Sequence, residues 1–164
     1  MPIRNRLSYF ASLLTLPPRA IAIVRGSNAY PGIQGEVRFY QTAYGTLVTA
    51  EFFGLPTGSS PCQSPVFGFH IHSGTQCTGN FSDPFADALT HYDPYTCAHP
   101  YHAGDLPPIF GANGYAFSTF LTTRFSAGEV IGRTVMLHSM PDDFTSQPAG
   151  NSGSKIACGT IVAQ

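Results

Sequence analysis

Val66-Phe67-Gly68-Phe69-His70-Ile71-His72 is the stretch on which the fold turns. Side chains along a strand alternate between its two faces, so Phe69 and Ile71 turn towards a core while His70 and His72 turn away from it. Two imidazoles side by side on the outer face of a sheet can chelate one metal ion. Working outward, residues 35–40 show the same alternation, 46–53 follow a Tyr44-Gly45 turn, and 20–24 form a β-rich run that stops at Gly26. Further strands are expected at 113–121, 132–138 and 155–162, about eight in all. Seventeen glycines and fourteen prolines beside 13% aromatic residues favour short strands and tight turns over long helices. The class is all-β, and a sheet of this kind hides its edges by closing into a barrel or pairing as a sandwich.

With 164 residues the chain has room for one domain. That domain is expected over 20–164, preceded by an N-terminal arm at 1–19. The arm carries Arg4 and Arg6 before an apolar run, which superficially resembles a secretory signal, but no small-x-small cleavage site separates the run from Pro17-Pro18. The run is too short to span a bilayer as a helix. Only 10% of residues are charged and the net charge is −1, so no basic field is present to gather phosphates and nucleic acid is not an expected partner.

His138 ends the run Thr134-Val135-Met136-Leu137 on the face opposite Val135 and Leu137, so three imidazoles from two strands can meet over the outer wall. A second cluster follows in His91-Tyr92-Asp93-Pro94 and His99-Pro100-Tyr101-His102-Ala103-Gly104-Asp105. A His₃Asp set in a Gly/Pro-rich loop can wrap one ion and suits tetrahedral zinc. Residues 73–104 contain no periodic element, and a loop of that length needs something other than a ladder to hold it. Metal ligands and a disulfide would do so. Any one of these histidines alone would be read as structural, but all six in the chain fall in the two clusters. Four cysteines leave disulfides, a metal site or buried thiols open, and no C-x-x-C pair occurs.

Taken together, Gly68 to His72, His91-Tyr92-Asp93-Pro94, His102 to Leu106, Gly132 to His138 with Asp142-Asp143, and Gly150 to Gly159 resemble the copper/zinc superoxide dismutase family. The resemblance runs from about Ala20 to the C-terminus. It implies an eight-stranded antiparallel Greek-key β-barrel with long metal-binding loops. It implies further that His70, His72, His91 and His138 bind copper and that His91, His99, His102 and Asp105 bind zinc, with His91 as the bridge. Asp142 would link a copper histidine to a zinc histidine. The implied reaction converts two superoxide anions to dioxygen and hydrogen peroxide by Cu(II)/Cu(I) cycling, with zinc structural and His91 passing a proton. Lys155 stands where the family carries its anion-guiding arginine, keeping the charge without the planar fork. The family's disulfide would be Cys77 with Cys158, and the two remaining cysteines, Cys62 and Cys97, are expected to pair and brace the zinc loop.

This chain has only Pro100 and Tyr101 between His99 and His102, fewer than the family's usual spacing, and its 139–152 loop is shorter than in most animal enzymes. Two other readings use the same ligands: a non-catalytic copper/zinc protein that buffers or delivers copper, and a barrel stapled by zinc alone. A dismutation assay on copper-loaded protein separates the first, and the absence of a copper spin signal identifies the second. Predicted disulfides favour an extracytoplasmic location. The family's dimer surfaces differ between lineages, so the resemblance leaves monomer and homodimer both open.

Overall fold

The computed structural model describes residues 3–63 and 65–164. A helix α1 (Ile3–Leu13) precedes the barrel where an arm was expected; Tyr9 and Phe10 set their rings against Tyr44. Nine strands follow among the described residues: β1 (Ala20–Gly26), β2 (Gln34–Thr42), β3 (Gly45–Phe53), β4 (Val66–Phe67), β5 (Phe69–His72), β6 (Ile109–Phe110), β7 (Tyr115–Thr122), β8 (Thr134–His138) and β9 (Lys155–Ala163). Seven of them form one antiparallel sheet in the order β5-β8-β9-β1-β2-β3-β7, and β4 pairs with β6 separately.

The run read as a single strand at 66–72 changes partner at Gly68. The Gly68 amide donates to the Met140 carbonyl at 2.7 Å, and its carbonyl accepts from the His138 amide at 2.8 Å. Before that point the chain pairs with β6, and after it with β8. The β4–β6 ladder is thus joined to one end of the large sheet through β5 and to the other through the Ala112–Tyr115 bridge into β7. The sheet curls into a half-barrel, and the backbone of Tyr92, Gly104 and Leu106 bonds along the β5 edge and covers it. The split of 66–72 into β4 and β5 and the addition of short β6 bring the seven ranges named from the sequence to these nine strands.

Alternation holds where one face meets solvent. Along β1, Ala20, Ala22 and Val24 are buried while Ile23 is exposed. Phe69 and Ile71 join Val135, Leu137, Phe39 and Phe52 in the main core. All five residues of β8 are buried, however, because its outer face is also covered. Met136 packs there with Phe85, Ala88 and Cys158 beneath the 73–104 loop. A disulfide joins Cys77 to Cys158 and fixes that loop to β9. Cys62 and Cys97 are free and exposed, so the expected second disulfide is not formed; the pairing had rested on their being left over and on Cys97 lying two residues before His99.

Candidate metal centre

Position on β5 gives His70 and His72 a common face, and the 73–104 loop then folds back along that strand. Tyr92 donates its amide to Ile71, Ile71 donates its own to Gly104, and Ser73 donates to Thr90, at 2.8, 2.9 and 2.8 Å. Isolated bridges place His91 opposite His72 and Asp105 opposite His70. Backbone pairing, rather than side-chain attraction, therefore delivers the loop donors to the strand donors. Two buried groups result: His70, His72, His91 and His138, and His91, His99, His102 and Asp105. Within each group the candidate ligand atoms all lie within 4.8 Å of one another. His91 belongs to both, and its ring centroid is 3.9 Å from that of His70 and 5.5 Å from that of His102.

Hydrogen bonds set the tautomers. A carbonyl oxygen only accepts, so His72 carries its proton on Nδ1, which donates to Leu89 at 2.9 Å, and His138 does likewise towards Gly153 at 3.4 Å. Their Nε2 atoms, 3.3 Å apart, are then left with lone pairs. Asp142 does the converse for one histidine of each group: its Oδ2 accepts from His70 Nε2 at 2.7 Å and its Oδ1 from His99 Nε2 at 2.9 Å. That leaves lone pairs on Nδ1 of His70 and His99. Among the described residues, His70 Nδ1, His91 Nε2, His99 Nδ1 and His102 Nδ1 are buried without a hydrogen-bond partner. Buried polar atoms are rarely left so, because each has given up its hydration. Ions on either side of His91 would satisfy all four, so the residues fit a two-metal site. His91 Nδ1 lies 2.7 Å from Asp105 Oδ1, on the side of the second group.

Burial, reinforced by the neighbouring His70, pushes His138 down to about 3, and burial also lowers His70 and His72. Neutral imidazole, the metal-ligating form, is thereby favoured. Burial alone would raise Asp142, but its bonds from His70, the Phe144 amide and His99 outweigh this and hold it at about 2. Asp105 is lowered in the same way, with His91 opposing burial.

Three supports were not visible in the sequence. Gln147 brackets His99 by accepting from its amide at 3.0 Å and donating to its carbonyl. Arg124, just past β7, directs Nη1 at the carbonyls of Pro100, His102 and Asp105, at 2.9, 3.1 and 3.2 Å. Asp83 accepts from Lys155 Nζ at 2.8 Å. A lone Gln, Arg or Asp in a loop carries no spacing signal that would single it out. Lys155 lines a cavity of about 630 Å³ together with His72, His91, His138, Asp83 and Asp93, which opens the first histidine group to solvent.

Residues 33–161 match the family model described as copper/zinc superoxide dismutase (SODC). The chain is 35% identical to Superoxide dismutase [Cu-Zn] of Legionella pneumophila, over 92% of this chain and 85% of that protein. It is 33% identical to the like-named protein of Photobacterium leiognathi, over 77% and 78%, and 32% identical to Superoxide dismutase [Cu-Zn] 3 of Arabidopsis thaliana, over 89% and 91%.

Proposed function

Because the chain belongs to the copper/zinc superoxide dismutase family, we propose that His70, His72, His91 and His138 hold its copper and that His91, His99, His102 and Asp105 hold its zinc. The protein is a superoxide dismutase that converts two superoxide anions to dioxygen and hydrogen peroxide, with copper and zinc as cofactors. The observation that most supports this ligand assignment is the set of buried imidazole nitrogens without a hydrogen-bond partner on the two sides of His91, with Asp105 Oδ2 3.2 and 3.3 Å from Nδ1 of His99 and His102. When bound, copper supplies a one-electron Cu(II)/Cu(I) couple and zinc a fixed positive charge.

The chain's own residues do the rest. Asp142 holds the protons of His70 and His99 on Nε2, keeping both Nδ1 lone pairs available. The carbonyls of Leu89 and Gly153 do the same for Nε2 of His72 and His138. His91 takes up a proton at Nε2 during one half of the cycle and passes it to the reduced product in the other, while its Nδ1 stays with the zinc group. Lys155 offers an ammonium at the mouth for the small anionic substrate. The proposal extends to a domain at 20–164 and an extracytoplasmic location, the latter supported by the Cys77–Cys158 bond.

Metal analysis with a dismutation assay tests the function. Protein loaded with copper and zinc should contain one of each per chain and turn over superoxide. Full loading without turnover would refute the catalytic reading.

A further inference from the structure

The ammonium that faces the cavity is not free. Lys155 Nζ donates to Asp83 Oδ2 at 2.8 Å and to the Phe85 carbonyl at 3.1 Å, with its side chain 16% exposed and that of Asp83 38%. Asp83 is itself anchored: Oδ1 accepts from the Phe85 amide at 3.0 Å, and its carbonyl accepts from the amides of Asn80 and Ala86. The loop that carries it is tied by Cys77 to Cys158 on the same strand as Lys155. Burial pushes the Asp83 carboxyl up, but Lys155 and the Phe85 amide outweigh it, so it is a carboxylate at neutral pH. This is a built contact between two fixed groups.

Apart from the metal-binding sets, the charged side chains lining the cavity are Asp83, Asp93 and Lys155. The whole chain has a net charge of −1, so no general field draws in an anion. Attraction must come from Lys155 and the metals. An ammonium in contact with a carboxylate acts, several ångströms away, as a dipole whose field falls off faster than that of a charge.

We propose that Asp83 is an attenuator of anion capture, competing with incoming superoxide for the Lys155 ammonium and holding the rate below what that lysine alone would give. The inference rests on the reading of Lys155 as the anion-attracting group. It makes Asp83 a positioning residue that acts through Lys155 without touching substrate.

The test compares Asp83→Asn, Lys155→Met, the double variant and Glu51→Gln in protein with verified copper and zinc content. Asparagine keeps an oxygen for the Phe85 amide while deleting the charge. Glu51, on β3 and bonded to the Tyr115 hydroxyl, controls for net charge outside the cavity. Two quantities are read: the second-order rate constant for superoxide as ionic strength rises, and the azide dissociation constant from the Cu(II) absorption band. Asp83→Asn should raise the rate constant about two- to fivefold at low salt and tighten azide by a similar factor, with both gains shrinking as salt screens the freed charge. Lys155→Met should slow capture, the double variant should resemble it, and Glu51→Gln should match the parent. Attenuation is overturned if Asp83→Asn is no faster and binds azide no tighter, if it gains as much in the Lys155→Met background, or if Glu51→Gln reproduces the gain. If instead Lys155→Met alone equals the parent, the reading of Lys155 falls and takes the proposal with it.

Discussion

Gly150→Ala strikes the bridge between the two histidine groups without altering any histidine or carboxylate. Gly150 has φ +64°, and a Cβ built there would lie 2.0 Å from Asp142 Oδ1 and 2.7 Å from His99 Nε2. The left-handed backbone costs a non-glycine residue about 1–2 kcal/mol. Relieving the contact requires Asp142 Oδ1 to move by about 1 Å or more, which takes it out of hydrogen-bond reach of His99 or Phe144. Those bonds now stand at 2.9 and 2.7 Å. Losing one bond to this buried carboxylate adds about 1.5–3 kcal/mol, giving a total of roughly 2.5–5 kcal/mol. Gly132→Ala separates the two terms, because Gly132 has φ +84° but nothing within 4 Å of its built Cβ. It should cost only the backbone share, about 1–2 kcal/mol. The assay is equilibrium urea unfolding of the metal-free, disulfide-bonded protein. It is paired with zinc affinity by chelator competition, which should fall about 10- to 100-fold in Gly150→Ala because His99 loses the partner that orients it. If Gly150→Ala costs no more than Gly132→Ala and zinc affinity is unchanged, the Asp142 bridge does not support the site as argued.

The disulfide joins residues 81 apart, so Cys158→Ser should lower stability by about 4 kcal/mol in the chain-entropy model, read by urea unfolding. Thiol counting on denatured, unreduced protein should find two reactive groups, Cys62 and Cys97; none or four would contradict the cysteine assignment. With metals removed, stability should depend on pH through His138, held near 3 by burial and by His70, and through His70 and His72, which burial also depresses. The unfolded chain then binds protons that the fold refuses, so this stability is complete above about pH 6.5 and is lost as pH falls from there towards 3. Unfolding midpoints that stay level between pH 7 and 5 would refute it. Arg124→Gln removes the cation shared by three zinc-loop carbonyls and should weaken zinc about tenfold while leaving the copper spin spectrum unchanged; unaltered zinc release would show that the loop holds itself.

What the sequence made legible was whatever repeats with a period or clusters in a motif. The alternation in Phe69-His70-Ile71-His72 put two rings in the core and two imidazoles outside it, and the structure buries Phe69 and Ile71 in the main core. It also draws the two histidine clusters together, with His91 in both. Partner switching at Gly68 was not legible, because it depends on which strands meet the chain on either side and not on its own pattern. β6, with only two residues, is too short to show a period. Asp83, Arg124 and Gln147 were missed for a related reason: each acts across a long sequence separation through one or a few contacts. The Cys62–Cys97 pairing failed because it came from counting thiols and from the place of Cys97 beside His99 in sequence, and neither carries the distance from Cys97 to Cys62.

The most direct test is anomalous diffraction at the copper and zinc edges from crystals of the oxidised, fully loaded protein. The account predicts copper bound by His70, His72, His138 and His91 Nε2, and zinc bound by His99, His102, Asp105 and His91 Nδ1. A single ion, or two ions with His91 bound to neither, would contradict it.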